Sequence, residues 1–351
     1  MRLSFAGLAT LRPAAEVRLP PPGAADQRIG ILHLGIGAFH RAHQAVFTED
    51  AAAATGEQRW GICGVTQRSP AVQLQLLPQD GLYGVLERAP DGRTGLRVVG
   101  AVREVLFGAG QGGVLDARFD DPQVTVISST VTEKGYCLDR RGRLDLADRS
   151  VAHDLAGGAP RSVVGRLARG LQRRAAGCSA PVTVICCDNL NSNGRVLARL
   201  VDDFCHALPA REGEPLAGWI AANVAYPCSM VDRIVPATAP TDRALARQLL
   251  GLDDQGLVVA EPFSQWVIED NFAADRPAWQ LAGVQLTKDV APYELMKLRI
   301  LNGAHSTLAY LGALRGYATI AETVTDDRLL AVARRLIAED VIPVLEPPDG
   351  T

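Results

Sequence analysis

The chain has 351 residues, of which 47% are hydrophobic and 21% charged, and its formal net charge is −3. This balance is typical of an ordinary globular protein with more than one domain. It excludes the strongly basic surface that binds nucleic acid or an anionic membrane. No apolar run reaches the roughly 18 residues of a membrane span. The seven cysteines show no C-x-x-C spacing and no secretory signal accompanies them, so we expect a cytoplasmic protein.

Apolar runs and periodicities predict the elements of the first part of the chain. In chain order these are a strand at 28–34, a helix at 38–54, a strand at 60–65, a hairpin at 83–105, a strand at 124–128, a helix at 161–175 and a strand at 182–186. Strands that alternate with helices predict a mostly parallel sheet covered by helices on both faces. The hairpin, around Asp91-Gly92, is expected as an antiparallel insertion in that sheet.

From about Tyr293 onward the pattern becomes helical, first to Leu314 and again over residues 326–340. We therefore expect an α/β protein with a Rossmann-like domain at 1–285 and a mainly helical domain at 286–351. The chain ends in a linker-like run, residues 347–351, so the helical domain is expected to be incomplete.

The glycine turn Gly35-Ile36-Gly37 lies between a predicted strand and a predicted helix. A dinucleotide pyrophosphate can bind there against free backbone N–H groups. His40 replaces the usual third glycine, so the motif alone leaves an ordinary turn equally possible. His40 and His43 have a spacing that could hold zinc, but no third ligand is evident, and no metal is expected.

The second predicted strand is followed by Thr-Gln-Arg-Ser at residues 66–69. A carboxylate at this place would bind the ribose 2′-hydroxyl of NAD, whereas Arg68 and the adjacent serine could accept the 2′-phosphate of NADP. The choice between the two cofactors therefore stays open.

Residues 291–312 place four polar side chains in an apolar helix. At about 100° per residue, Glu294, Lys297, Asn302 and His305 share an arc of roughly 140°, and we expect the helix to be largely buried. One interpretation is a structural ion pair between Glu294 and Lys297. The other is chemistry, because burial lowers the pKa of a lysine and makes it a usable base. Asn302 would then donate to an alkoxide and His305 would hold a second hydroxyl.

A polar cluster, Asp188, Asn189, Asn191 and Asn193, directly follows the predicted strand at 182–186. Sites in parallel sheets collect at the carboxyl ends of strands, so these side chains could face a ligand. A turn rich in asparagine, which tolerates left-handed backbone, is the alternative.

Six blocks of the chain, in this order, resemble the polyol-specific long-chain dehydrogenases, the mannitol 2-dehydrogenase and fructuronate reductase family. They read HLGIGAFHRAHQA, TVTEKGY, CDNLNSNG, YPCSMVDRI, EPFSQWVIED and KLRILNGAHSTLAYLG. The resemblance implies a zinc-independent, nicotinamide-dependent oxidation of a sugar alcohol such as mannitol to its ketose. A hexuronate pair of the fructuronate/mannonate type is the second possibility.

The resemblance also implies residue roles. Lys297 is the catalytic base, Asn193 and Asn302 stabilise the alkoxide, His305 orients the substrate, and Glu294 lies near the path of the lysine to solvent. The expected cofactor-binding residues, with Arg68 added from the strand end, are Gly35, Ile36, Gly37, Ala38, Phe39, Arg68, Thr132, Glu133, Asn189 and Asp232. NAD is the expected cofactor and NADP is not excluded.

The chain departs from this family in its length, because family members continue well beyond the position that corresponds to residue 351. We therefore expect the 351-residue chain to be a weak or inactive catalyst. A non-catalytic nucleotide-binding protein is the alternative from another functional class.

Overall fold

The computed structural model describes residues 1–89 and 91–346. The chain divides into two compact units, Met1–Lys288 and Asp289–Thr351. The linker-like run at 347–351 lies outside the described residues.

The described part of the first unit contains thirteen strands and ten α-helices. The strands are β1 (Val17–Arg18), β2 (Ile29–Leu34), β3 (Gly61–Thr66), β4 (Tyr83–Arg88), β5 (Thr94–Val99), β6 (Val102–Phe107), β7 (Val126–Ser129), β8 (Val182–Cys186), β9 (Val224–Ala225), β10 (Ser229–Asp232), β11 (Val258–Ala260), β12 (Gln265–Glu269) and β13 (Gln285–Thr287). The helices are α1 (Phe5–Leu8), α2 (Ala38–Ala42), α3 (Gln44–Thr55), α4 (Ala71–Leu76), α5 (Gly112–Asp120), α6 (Arg149–Leu155), α7 (Val163–Ala176), α8 (Asn193–Ala207), α9 (Ala210–Asn223) and α10 (Pro240–Leu250).

The central sheet has six strands in the order β6-β3-β2-β7-β8-β9, and every neighbouring pair is parallel. The chain thus moves outward from β2 through β3 and β6, then crosses back to β7 on the other side of β2. This is the doubly wound Rossmann order, in which ligands bind at the carboxyl ends of the strands where the order reverses. The predicted Rossmann-like, mostly parallel sheet is confirmed.

The central strands carry apolar side chains on both faces, because helices cover both faces. Leu32 is fully buried in a cluster with Leu167 of α7 and Leu200 of α8. Its neighbour Ile31 points to the opposite face, where it belongs to a second cluster with Ala45 of α3. Alternate residues of one strand therefore anchor the helices on the two sides of the sheet.

The predicted hairpin is present as antiparallel β4 and β5, but its predicted place in the central sheet is wrong. It lies in a separate four-stranded sheet with the order β1-β5-β4-β11. The outer edge of β5 pairs with β1 and the outer edge of β4 pairs with β11, so neither edge is available to the central sheet. Residues 102–105, predicted as part of the hairpin, belong instead to the parallel strand β6. A third sheet has the order β10-β12-β13.

The helix predicted at 38–54 is interrupted at His43, which separates α2 from α3. His43 has φ −121° and ψ −87°, outside the helical region. Its Nε2 donates to the carbonyl oxygen of Gln265, 2.8 Å away. The break thus ties the helix to the third sheet.

The second unit is helical, as predicted. Its α-helices are α11 (Ala291–Met296), α12 (Gly303–Leu314), α13 (Ile320–Thr323) and α14 (Asp327–Arg335), and π-helical segments follow α11 at Lys297–Asn302 and α14 at Leu336–Val341. A small cluster of Leu308, Leu329 and Ala333 is buried between α12 and α14. Across both units, no described helix is long and apolar enough to cross a membrane.

Candidate functional site

The glycine turn follows β2 at the centre of the Rossmann sheet. Gly35 has φ +101°, and a Cβ at this residue would lie 2.1 Å from the carbonyl oxygen of Thr130, so no other residue fits. At Gly37 an added Cβ would meet only the Gly35 oxygen, 3.7 Å away. The turn is therefore tight on the side of the protein and open on the side where a ligand can approach.

His40, at the position of the missing third glycine, is buried and stacks on His33 of β2 with the ring centroids 3.4 Å apart. The ring nitrogens of His33 lie 2.8 Å from Ser128 Oγ and 2.9 Å from Thr130 Oγ1. Burial lowers the pKa of His33 to about 3 and lowers the pKa of His40 well below its ordinary value. Both rings are therefore neutral near pH 7, and they support the backbone of the glycine turn. The described residues contain no group of three or more His, Cys, Asp or Glu side chains that could hold a metal.

A cleft of about 460 Å³ opens beside the turn. Its wall includes Gly35, Ile36, Gly37 and Arg68 of the predicted cofactor-binding set. The other lining residues are Thr66, Gln67, Ser69, Ala71, Val72, Val131, Lys134, Gly135, Cys137, Asp148, Ser150, Arg161, Ser162 and Val163. The cleft thus follows the carboxyl ends of β2, β3 and β7, where this fold binds nucleotides.

The loop after β7 is held in a strained conformation. Thr132 has φ +72° and ψ +156°, a region that is essentially restricted to glycine. The Asp188 carboxylate, just past β8, accepts hydrogen bonds from the backbone N–H groups of Val131 and Thr132, each at 2.9 Å, and from the Tyr136 hydroxyl at 2.5 Å. Burial raises the pKa of Asp188, and these three donors oppose that rise. Asp188, predicted as a possible ligand contact, instead fixes the loop.

Asn193 begins α8 and is almost completely buried. Its amide group donates to the carbonyl oxygens of Asp188 and Ser229 at 3.1 and 2.7 Å, and its oxygen accepts from the Ser229 N–H at 2.9 Å. Both amide hydrogens are therefore engaged in joining β8 to β10. The predicted donation from Asn193 to an alkoxide requires one of these bonds to be exchanged.

In the second unit, the predicted single α-helix is interrupted by the π-helical segment Lys297–Asn302. In an α-helix residues five apart lie about 140° apart, whereas the wider i→i+5 turn brings them close to one face. Lys297 and Asn302 thus lie closer to one face of the helix than the α-helical period places them. The arc predicted from the α-helical period is wrong in detail, but the grouping of these two residues becomes tighter.

The expectation that this helix is largely buried is also wrong. Lys297, Glu294 and Asn302 are only partly buried and His305 is exposed. Leu298, Leu301, Tyr310 and Leu314 are exposed as well, Leu314 by 83%. The hydrophobic cluster of Leu308, Leu329 and Ala333 between α12 and α14 leaves these four side chains exposed.

The remaining predicted cofactor-binding residues, Ala38, Phe39, Thr132, Glu133, Asn189 and Asp232, do not line the cleft. Thr132 and Glu133 belong to the loop fixed by Asp188, and Asp232 ends β10, where it pairs with Gln265 of β12. His33, which contacts the glycine turn, and the cationic Lys134 and Arg161 in the cleft wall were not predicted as site residues from the sequence. For His33 a signal was present, because a histidine in an otherwise apolar strand needs a buried partner.

The strand order, the glycine turn and the adjoining cleft define a dinucleotide-binding protein of the Rossmann class. The family model of the mannitol dehydrogenase Rossmann domain matches residues 29–281, and that of the mannitol dehydrogenase C-terminal domain matches residues 289–351. The chain belongs to the mannitol dehydrogenase family.

Several relatives extend this result. D-mannonate oxidoreductase of Escherichia coli is 44% identical over 92% of this chain, and mannitol 2-dehydrogenase of Cereibacter sphaeroides is 39% identical over 92%. The aligned regions are 66% and 67% of those proteins. For three curated relatives, D-mannonate oxidoreductase among them, the chain covers 62–66% of the relative's own length. The chain thus spans somewhat less than two thirds of each of these three proteins.

Two solved structures are similar along the whole chain. Substrate-free D-sorbitol dehydrogenase has a TM-score of 0.91 at 34% identity, and this chain covers 72% of it. Pseudomonas fluorescens mannitol 2-dehydrogenase in complex with NAD and D-mannitol has a TM-score of 0.90 at 40% identity, with 71% covered.

Proposed function

We propose that this chain belongs to a zinc-independent dehydrogenase that moves a hydride between a nicotinamide cofactor and a sugar alcohol/ketose pair of the mannitol/fructose type. One observation carries the proposal: a glycine turn that is open to a ligand at Gly37, beside a cleft at the reversal point of a Rossmann sheet. Family membership supports the same reading. The division at 1–285 and 286–351 is proposed as the boundary between the cofactor domain and the substrate domain.

The residues of the first unit fit a dinucleotide. Gly35 closes against Thr130, and no side chain occupies the ligand side of Gly37. NAD, which the Pseudomonas fluorescens relative binds, is the proposed cofactor. Residues 35–39 would hold its pyrophosphate and Arg68 its adenosine ribose, while Thr132, Glu133, Asn189 and Asp232 are proposed as further contacts. When bound, the nicotinamide supplies the hydride acceptor or donor.

Side chains of the protein then remove and return the proton of the substrate hydroxyl. The Lys297 amine, when unprotonated, removes that proton, and the protonated amine returns it in the reverse direction. The Asn302 amide, which the π-turn brings closer to the face of Lys297, stabilises the negative oxygen. His305 orients the sugar chain and Glu294 relays the proton to solvent. Asn193 contributes a second donor if it exchanges its bond to Asp188 or Ser229.

A hexuronate pair of the fructuronate/mannonate type is the second candidate substrate. It is favoured by the similarity to D-mannonate oxidoreductase, which is 44% identical to this chain, against 39% for mannitol 2-dehydrogenase of Cereibacter sphaeroides. All seven cysteines are free thiols, which supports the proposed location in the cytoplasm.

The test compares Lys297→Ala with the matched variant Lys288→Ala, in the 351-residue chain and in any longer product that its gene encodes. Polyols, ketoses and hexuronates are supplied with NAD or NADH after exhaustive chelation, and cofactor absorbance reports turnover. We expect Lys297→Ala to lose about 10²–10⁴-fold in rate, with NADH affinity unchanged and Lys288→Ala normal. Retention of more than a tenth of the rate contradicts the role of Lys297.

The same experiment separates the alternative functions. Activity that is restored only by zinc contradicts the metal-independent mechanism. NADH binding without turnover of any substrate in either protein supports the non-catalytic alternative.

A further inference from the structure

A second cavity of the first unit lies among the helices that cover one face of the Rossmann sheet, and it shares no lining residue with the cofactor cleft. Its volume is about 460 Å³, within the range of small-molecule sites. We call it the helical cavity, because α5, α7, α9 and the loop between α6 and α7 form its wall. Among the described residues its charged lining residues are Asp116, Arg166, Arg169, Arg173 and Glu212. The wall thus carries three guanidinium groups and two carboxylates.

Arg166 is buried in this wall without a partner of opposite charge. The residue is 7% exposed, and its one hydrogen bond to the described residues runs from Nη2 to the carbonyl oxygen of Pro160 at 2.6 Å. Its Nε is sealed from solvent and has no acceptor, whereas its Nη1 has no acceptor but is not sealed. Burial lowers the pKa of Arg166, and the carboxylates of Asp154 and Asp116 oppose this shift without forming an ion pair with it. A buried cation in this state is costly unless an anion joins it.

Arg174, further along the same helix, shows how a buried arginine is satisfied by the protein alone. It is fully buried and forms no ion pair among the described residues. Its three side-chain nitrogens nevertheless donate four hydrogen bonds to backbone carbonyl oxygens, at 2.8–3.3 Å. These bonds compensate for the loss of water around the guanidinium group. Arg166 has a single bond of this kind, so its burial is not explained by contacts within the described protein.

The three arginines of the helical cavity share one face of α7. They are three and four residues apart, so at 100° per residue they lie within an arc of about 60°. Arg169 pairs with Glu212. Arg173 pairs with Asp120 and lies 3.9 Å from Asp116, and its side chain is about half exposed. Exposed pairs contribute little to stability, so these arginines can turn toward a ligand. Three guanidinium groups suit the several oxygens of a phosphate group, whereas one guanidinium fork satisfies the two oxygens of a carboxylate.

We propose that the helical cavity binds a phosphate group, with Arg166 as its buried anchor and Arg169 and Arg173 as flanking cations. The ligand is free phosphate or a phosphate monoester of a small molecule, since the cavity leaves room beside the phosphate group. The site lies apart from the cofactor cleft and does not depend on the proposed function.

Isothermal titration calorimetry of the 351-residue chain with inorganic phosphate measures this site, at an ionic strength held constant with sodium chloride. We expect saturable binding that persists when NADH is present, because NADH would occupy the other cleft. Arg166→Gln should weaken phosphate binding at least about tenfold, which corresponds to about 1.4 kcal/mol. The matched control Arg199→Ala, on an exposed part of α8 outside the cavity, should leave it unchanged. Acetate should bind more weakly than phosphate.

The melting temperature without phosphate separates a ligand site from a structural role. Arg166→Met removes a charge that is buried without a partner, so it should melt no lower than the unsubstituted chain. Arg174→Met should melt markedly lower, because it leaves four carbonyl groups without their donors. An equal fall in the two variants overturns the proposal, because Arg166 would then be a structural residue.

Four results of the titration also overturn the proposal: no phosphate binding, binding that NADH abolishes, an unchanged affinity in Arg166→Gln, and acetate binding as tight as that of phosphate. Equal losses in Arg166→Gln and Arg199→Ala indicate general charge attraction and overturn it as well. Glucose 6-phosphate distinguishes the two sources of the phosphate group. Tighter binding of this ester than of inorganic phosphate supports a phosphorylated small molecule as the ligand, and equal or weaker binding supports free phosphate.

Discussion

Asp188→Asn is expected to weaken both the loop after β7 and the nucleotide site. The carboxylate accepts three hydrogen bonds, from Val131, Thr132 and Tyr136. The amide of asparagine keeps one acceptor oxygen and turns an N–H group toward the remaining donors. Loss of one bond to a charged group in a mostly buried site costs about 1.5–3 kcal/mol. We therefore expect the free energy of unfolding to fall by about that amount.

The strain at Thr132 makes this prediction specific. A threonine in a region restricted to glycine costs about 1–3 kcal/mol, and the Asp188 carboxylate holds it there. Thr132→Gly should therefore relieve strain while Asp188 is present. In Asp188→Asn the loop is free to relax, so the same substitution should gain less. The double-mutant cycle should give a coupling energy of about 1 kcal/mol or more.

Guanidinium unfolding of the four proteins measures the coupling, and fluorescence titration with NADH measures the cleft. Val131, Lys134 and Gly135 line the cleft, so release of the loop should raise the NADH Kd about tenfold, or about 1.4 kcal/mol. Asp203 is the control carboxylate, since it accepts from Arg143 and from the Leu144 N–H away from the cleft. Asp203→Asn should lower stability without changing the Kd. Additive free energies together with an unchanged Kd in Asp188→Asn would refute this reasoning.

Two further predictions concern the glycine turn and the histidine beneath it. Gly35→Ala should lower the free energy of unfolding by more than about 2 kcal/mol and abolish NADH binding, because its Cβ meets Thr130 and its φ is positive. Gly37→Ala should impair NADH binding without lowering stability. Equal melting temperatures for the two variants would contradict this prediction. The pKa of His33 falls from 6.5 to about 3 on folding, so between these pH values the unfolded chain binds a proton that the folded chain does not. The free energy of unfolding should therefore decline as pH falls from 6.5 toward 3, by up to about 1.4 kcal/mol per pH unit. Denaturant unfolding at pH 7.5 and pH 5 should show a smaller loss of stability at the lower pH in His33→Gln, and an unchanged loss in the exposed control His206→Gln. The same loss in both variants would show that another group causes the pH dependence.

The parallel core was predictable because its signals are local. Continuous apolar strands, a glycine turn and intervening helices suffice to specify a doubly wound sheet. The sheet that contains the hairpin was not predictable, because β4 pairs with β11, more than 150 residues later in the chain. Nothing within residues 83–105 records that pairing.

In the candidate site, too, local features were predictable from the sequence and contacts between distant residues were not. The glycine turn and Arg68 lie beside strand ends that are visible in the sequence. The contact of Asp188 with Thr132 spans 56 residues and depends on the adjacency of β7 and β8. The π-turn at Lys297–Asn302 was missed because the α-helical period of 3.6 residues is assumed whenever a helix is predicted from its pattern.

The N-terminal segment, which precedes the Rossmann sheet, has a consequence for how the chain folds during synthesis. Leu3 is fully buried and its N–H donates to the carbonyl oxygen of Asp253 at 2.9 Å, while β1 pairs with β5 and β4 pairs with β11. Residues 1–18 are therefore synthesised long before residues 253–260, which they need before their sheet can close. Such distant pairing slows folding and leaves strand edges exposed in the nascent chain. The β4–β5 hairpin can form early, but its two outer edges remain open until most of the first unit has been translated.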